Sequence, residues 1–282
     1  MKFFKFHSLG NDFLIIDETE SKGFSDISTL AGRICDRHTG VGADGLLLVS
    51  VKDKTKGRVK FRIFNADGTE AEISGNGLRC AAAYLYNQKK INSPQITFLT
   101  TAGQRECKLI EGKKNLFHIR IEMGIPHLNS KAIPFDDGST HEKIIDYPLS
   151  INQKIYPITV ISLGNPHCAI FVDRFPARIE WHQIGREIES HPFFPNRTNI
   201  EFIRVLSRDV IDVLFWERGV GETLSSGSGS CAAAVASILK NLTDRRVQVR
   251  TSMGYLTVEW EKKKVYQSGP AEVVLKGTFL SA

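Results

Sequence analysis

Apolar residues recur along the chain in short bursts bounded by glycine, proline, asparagine or aspartate. Most bursts are brief and rich in β-branched or aromatic residues, which is the pattern of strands. Lys60–Phe64, Ile96–Thr100, Ile119–Met123, Ile158–Ile161, Ala169–Val172, Val210–Trp216, Val247–Arg250, Leu256–Trp260 and Val273–Leu275 read this way. Two stretches break the rhythm. Leu78–Gln88 and Ser230–Leu239 are alanine-rich, lack internal glycine or proline, and read as helices. Ser28–Cys35 reads as a third, and Asn129–Asp146 has little pattern. The chain therefore reads as strand-rich, with one main helix in each half.

The halves repeat each other. SGNGLRCAAA at Ser74 returns as SGSGSCAAA at Ser226, an offset of 152, and Glu70 returns as Glu222 at the same spacing. Ser8-Leu9-Gly10-Asn11 returns as Ser162-Leu163-Gly164-Asn165, an offset of 154, and Thr100 and Gly103 return as Thr251 and Gly254, an offset of 151. Matches in one order at nearly one spacing imply a duplicated domain. We expect an N-terminal lobe over 1–125, a C-terminal lobe over 126–265, and a last strand in 266–282 returning to the first lobe. A cleft between two such lobes is a common place for a small-molecule site.

Composition narrows the class. A chain of 282 residues with 41% hydrophobic and 24% charged residues is an ordinary globular protein of two-core size. No apolar stretch is long enough to span a bilayer, and MKFFKFHSLGNDF does not read as a secretory leader. The five cysteines, Cys35, Cys80, Cys107, Cys168 and Cys231, are scattered and form no CxxC, which fits reduced thiols in the cytoplasm and no metal site. The net charge of +6 lies in short runs, Lys52–Lys60 and Lys262–Lys264, broken by apolar or acidic neighbours. They read as solvated loops, with no nucleic acid or membrane as partner.

Both repeated phrases are glycine-spaced helix starts. Glycine lets a backbone approach a ligand closely, and a helix N-terminus offers free amides to an anion. Two such starts facing each other could hold one carboxylate, with Ser74 and Ser226 on opposite sides of the carbon that bears it. That is the layout of a two-base isomerase. Neither phrase has the GK[ST] ending of a phosphate loop or a GxGxxG fingerprint. The plainer reading of each phrase is a tight turn with serine as helix cap.

The stretches FHSLGNDF (6–13), DRHTGVGADGLLLV (36–49), FNADGTEAEISGNGLRCAAA (64–83), SLGNPHCAIFVD (162–173), NRTNIEF (196–202) and WERGVGETLSSGSGSCAAA (216–234) resemble the diaminopimelate epimerase family, over essentially the whole chain. The resemblance implies an α+β fold of two pseudo-symmetric lobes, each a curled, mainly antiparallel sheet around a central helix. It implies epimerisation of LL-2,6-diaminopimelate to the meso form, for lysine and peptidoglycan synthesis, with no cofactor. Gly75, Asn76, Gly227 and Ser228 match the helix starts that bind the reacting α-carboxylate. Asn11, Asn65, Asn165, Asn199, Glu217 and Arg218 match substrate-binding side chains, and His167 a histidine near the reacting centre. Each has a plainer reading: Asn11 and Asn165 as turn formers, His167 as a packed residue, Glu217–Arg218 as a surface pair. The implied partners are a small-molecule amino-acid substrate and a second copy of the chain, since family members are commonly dimeric.

At Ser74 and Ser226 the chain departs from the family, whose residues there are the two acid/base cysteines. A cysteine titrates near neutrality at a helix N-terminus, whereas a serine needs an adjacent base. Three readings share the fold and differ in rate: cysteines replaced by design to hold substrate without turnover, a member that isomerises through serine with help from His167 or Glu217, and a silent amino-acid-binding relative. A racemase of another amino acid is a further reading.

Overall fold

A computed structural model describes residues 1–20, 24 and 26–280 of the chain. The chain divides into two compact units, one holding Met1–Glu122 with the segment from Ser268 onward, the other Met123–Gln267.

The first unit runs β1 (Lys2–Ser8), β2 (Asn11–Asp17), α1 (Ile27–Cys35), β3 (Gly45–Asp53), β4 (Arg58–Asn65), β5 (Glu70–Ala71), α2 (Gly75–Asn87), β6 (Gln95–Thr100), β7 (Gly103–Lys113) and β8 (Leu116–Gly124). Neighbouring strands pair β1–β2 antiparallel, β2–β3 parallel, β3–β4 antiparallel, β4–β6 parallel, and β6–β7 and β7–β8 antiparallel. The second unit runs β9 (Ile144–Ile151), β10 (Lys154–Ser162), β11 (Pro166–Phe171), α3 (Arg178–Glu189), β12 (Asn199–Val205), β13 (Val210–Glu217), β14 (Gly221–Thr223), α4 (Gly227–Leu239), β15 (Arg246–Thr251) and β16 (Gly254–Glu261), then enters β17 (Lys264–Thr278). From β10 onward it repeats the sequence of pairings: β10–β11 antiparallel, β11–β12 parallel, β12–β13 antiparallel, β13–β15 parallel, β15–β16 antiparallel. The short strands β5 and β14 hang on β4 and β13 in the same way. In the first unit β17 pairs with both β1 and β8, so the strands form a closed ring.

Each unit wraps its strands around one helix. α2 touches β1, β2, β3 and β7, and ten of its thirteen residues, Asn76–Leu85, are buried. α4 touches six strands, β10–β13, β15 and β16, and is buried continuously over Gly229–Ser237. A helix enclosed on all sides needs small side chains, which accounts for Ala81–Ala83 and Ala232–Ala234. Both helices begin three residues earlier than alanine content alone predicts, at Gly75 and Gly227. The preceding serines have extended backbones and accept from the third amide on, 3.1 Å from Gly77 N to Ser74 Oγ and 3.2 Å from Gly229 N to Ser226 Oγ.

All the strands and helices read from the pattern are present, with further elements that the pattern did not disclose. β12 is a buried run, and α3 is a charged amphipathic helix that puts Trp181, Ile184 and Ile188 inward. Its central glycine has a packing reason: a Cβ on Gly185 would stand 2.8 Å from the Trp216 ring. Residues 131–143 form turns and coil ahead of β9, pinned by Ile133 and Phe135 in the same cluster as Ile144. Among the described residues no helix is long and apolar enough to cross a membrane.

Candidate active site

In the first unit the Leu9–Gly10 turn, with φ of 50° and 84°, closes the β1–β2 hairpin and delivers Asn11 at the start of β2. Asn11 donates to Asp44 Oδ2 at 2.7 Å and accepts from Asn76 Nδ2 at 3.1 Å. Asn76 in turn accepts from Arg79, which is fully buried and donates through Nε to Ser8 Oγ at 2.9 Å. The Asn11 and Asn76 amides are thus held in fixed orientations from behind. Asn65 ends β4 and is exposed; its amide donates to Thr69 Oγ1 at 2.9 Å across the turn to β5. Ser74 caps α2, so the amides of Gly75 and Asn76 are first-turn donors with no acceptor inside the helix.

Beside Asn11, Asp12 sits 2.8 Å from both Lys5 Nζ and an Arg37 nitrogen. Burial alone would raise its carboxyl, but the hydrogen bonds from Arg37 and Lys5 outweigh it and hold the group down to about 2. Asp12 therefore stays ionised and ties the hairpin to the 37–44 loop.

In the second unit the equivalent hairpin delivers Asn165 and then His167. His167 is fully buried, with Nδ1 2.7 Å from Glu201 Oε1 and Nε2 3.1 Å from Asn165 Oδ1. Asn199 bridges two segments, donating to the Pro166 carbonyl at 2.8 Å and accepting the Arg218 amide at 3.0 Å. Glu217 ends β13, accepting from Thr223 Oγ1 at 2.7 Å and from Ser226 Oγ at 3.2 Å. Ser226 caps α4, leaving the Gly227 and Ser228 amides as first-turn donors. The Arg218 side chain is exposed and donates to the Asn196 carbonyl at 2.9 Å.

The sequence-derived residues thus fall into two clusters, one in each unit. Asn11, Ser74, Gly75 and Asn76 form the first, with Asn65 turned toward Thr69. Asn165, His167, Asn199, Glu217, Ser226, Gly227 and Ser228 form the second, with Arg218 at its rim. One plainer reading changes. Glu217 and Arg218 are not a surface ion pair, because the carboxylate faces Thr223 and Ser226 and the guanidinium faces a backbone carbonyl. Both His167 ring nitrogens have partners within the second unit, Glu201 and Asn165. Glu217 is the group in contact with Ser226.

Sequence reasoning missed Glu201, Thr223, Asp44 and Arg79, each of which orients a residue it did find. It also left the cysteines as unassigned thiols. All five are buried and unpaired by disulfides. Among the described residues no group of three or more His, Cys, Asp or Glu is arranged to hold a metal ion.

The repeated order of strands with a serine-capped helix packed against them is the fold of a set of solved structures that includes epimerases and racemases. A predicted epimerase from Pseudomonas aeruginosa superposes with a TM-score of 0.68 at 13% identity, covering 100% of this chain and 99% of that one. A probable proline racemase from Agrobacterium radiobacter K84, solved with bound carbonate, gives 0.67 at 12% identity, covering 99% and 92%. Within that fold the chain belongs to the diaminopimelate epimerase family, whose profile it matches over residues 3–128 and 159–274. It is 43% identical to the diaminopimelate epimerase of Pelotomaculum thermopropionicum and 40% identical to that of Moorella thermoacetica, in each case across 99% of both chains. It is 39% identical to diaminopimelate epimerase 1 of a Nostoc species, across 98% of this chain and 99% of the relative.

Proposed function

We propose that the chain binds LL-2,6-diaminopimelate and inverts its α-carbon by proton removal and return, with Ser74 and Ser226 at the two acid/base positions. The observation that supports this reading is the helix start repeated in each unit. Each is capped by one of the two serines and leaves its first amides, Gly75–Asn76 and Gly227–Ser228, without an acceptor inside the helix; donors of that kind suit the carboxylate next to the reacting carbon.

Removing an α-proton leaves negative charge that the neighbouring carboxylate must absorb, and amide donors at a helix start favour that charge. The proton goes to one acid/base group, and the second group gives its own hydroxyl proton to the opposite face; both groups then return to their starting states by proton exchange with solvent. For Ser226 the chemistry needs Glu217. As Ser226 Oγ takes the α-proton, its own hydroxyl proton passes to the Glu217 carboxylate 3.2 Å away; in the reverse direction the same atoms return it. Serine is a far weaker acid than cysteine, so turnover is slow relative to a cysteine-bearing relative. Asn11, Asn65, Asn165, Asn199 and Arg218 serve recognition, the guanidinium pairing with the distal carboxylate. The reading carries with it a cytoplasmic location, a homodimer as in other family members, and no role for nucleic acid.

Calorimetric binding tests recognition without requiring turnover. LL-diaminopimelate is expected to bind at least about tenfold more tightly than lysine, which lacks the distal carboxylate. Equal affinity for the two would contradict the assignment.

A further inference from the structure

The two units build one spot twice, with different chemistry. In the first, parallel pairing sets Phe13 against Gly45 and Ile15 against Leu47. In the second, the same pairing sets His167 against Asn199 and Ala169 against Glu201. The helices agree with this correspondence. A Cβ on Gly77 would meet Ser74, Leu47 and Ile63; one on Gly229 would meet Ser226, Glu201 and Phe215. Phe13 and Leu47 are 3% and 0% exposed, and their counterparts His167 and Glu201 are 0% and 1% exposed. An apolar pair therefore satisfies the architecture. Replacing it with a buried acid and imidazole adds desolvation cost that the fold does not require.

The contacts suggest what the polar pair does. Glu201 Oε1 lies 2.7 Å from His167 Nδ1, Glu201 Oε2 is buried without a hydrogen-bond partner among the described residues, and His167 Nε2 meets Asn165 Oδ1 at 3.1 Å. Burial pushes the Glu201 carboxyl up; contact with His167 opposes this, and the Glu217 carboxylate adds to it. The ionisable groups that act on Glu201 or feel its charge are His167 and Cys168 of β11 and Glu217 of β13. A carboxylate with imidazolium, or a carboxylic acid donating from Oε1 to a neutral imidazole, leaves the pair uncharged and puts a proton on Nε2. A carboxylic acid protonated on Oε2 is also uncharged, but it buries an O–H without an acceptor and sets Nε2 against Asn165 Oδ1 as two facing acceptors. A carboxylate with neutral imidazole protonated at Nδ1 leaves an uncompensated buried charge near Glu217 and strips Nε2. The first two are strongly favoured.

We propose that Glu201 is a positioning residue that keeps one shared proton in the His167 pair, so that Nε2–H fixes the Asn165 carbonyl inward and turns its NH2 outward as a donor for a substrate carboxylate. The ligand part of this inference rests on the proposed function; the proton does not.

Two experiments test it. In the intact chain with 15N-labelled histidine, the His167 resonance is expected to show a protonated Nε2 at neutral pH. An unprotonated Nε2 overturns the proposal, whether or not diaminopimelate binds. The second copies the first unit into the second, as His167→Phe with Glu201→Leu. This pair is expected to keep or raise the denaturation midpoint, yet weaken diaminopimelate binding by about tenfold or more. Glu201→Gln, whose amide can donate to Nδ1, is expected to retain binding and a protonated Nε2. Unchanged affinity in the Phe/Leu chain, or loss of the Nε2 proton in Glu201→Gln, would overturn the role given to Glu201.

Discussion

Ser226 Oγ lies 3.2 Å from Glu217 Oε2 while accepting the Gly229 amide. One oxygen thus closes the helix and touches a carboxylate. Ser74 closes α2 in the same way, accepting the Gly77 amide at 3.1 Å. The plainer reading of the two phrases, serine as cap, and the chemical one, serine beside an open helix start, describe the same atoms.

Capping has a measurable energy. Ser74→Ala and Ser226→Ala each remove the acceptor for a first-turn amide and are expected to cost about 1 kcal/mol in chemical denaturation. No loss in either would mean that the hydroxyl does not cap.

The space behind Ser226 is tighter than that behind Ser74. A Cβ on Gly229 would stand 2.8 Å from Glu201 Oε1, 2.9 Å from Phe215 and 3.0 Å from Ser226 Oγ, whereas on Gly77 the nearest atoms lie at 3.2–3.4 Å. Gly229→Ala is expected to destabilise by roughly 1–3 kcal/mol and Gly77→Ala by less. The reverse order in thermal or urea melts would contradict the packing described.

Acid should release Asp12. Its carboxyl is held at about 2 against an ordinary value of 3.8. Its contribution is therefore complete above about pH 4 and is lost as pH falls toward 2. Asp12→Asn should lower stability at neutral pH by roughly 2 kcal/mol and flatten the acid limb of the stability curve. An unchanged acid limb would remove Asp12 from the account.

Thiol chemistry separates this chain from a cysteine-bearing relative. All five cysteines are buried, and burial pushes the Cys35 thiol up to about 12 and lifts Cys80, Cys107 and Cys168 as well. The folded chain is expected to resist a thiol reagent, and Ser74→Cys to add one reactive thiol per chain, favoured by the helix start. Rapid modification of the parent chain would contradict the burial.

The alanine runs of α2 and α4 and the β-branched bursts were legible because an enclosed helix and a half-buried strand each leave a local signature. α3 was not, because its glycine answers to the distant Trp216 ring rather than to its own segment. Glu201 was hidden for a similar reason. In NIEF it looks like a lone charge among apolar residues, and only the pairing of β11 with β12 brings it behind His167. The repeat offered a clue, since the offset of 154 that aligns Asn11 with Asn165 also lays His167 on Phe13 and Glu201 on Leu47. Ser74 and Ser226 were legible as positions, but their capping bonds and the Glu217 contact needed coordinates.

The most direct measurement is α-proton exchange. The chain is incubated with LL-diaminopimelate in D2O beside a Ser74→Cys/Ser226→Cys variant, and loss of the α-proton and appearance of the meso form are followed by NMR. The account predicts fast exchange and epimerisation in the double-cysteine chain, with the parent slower by about 10²-fold or more. Silence from both chains would contradict the assignment of diaminopimelate as substrate.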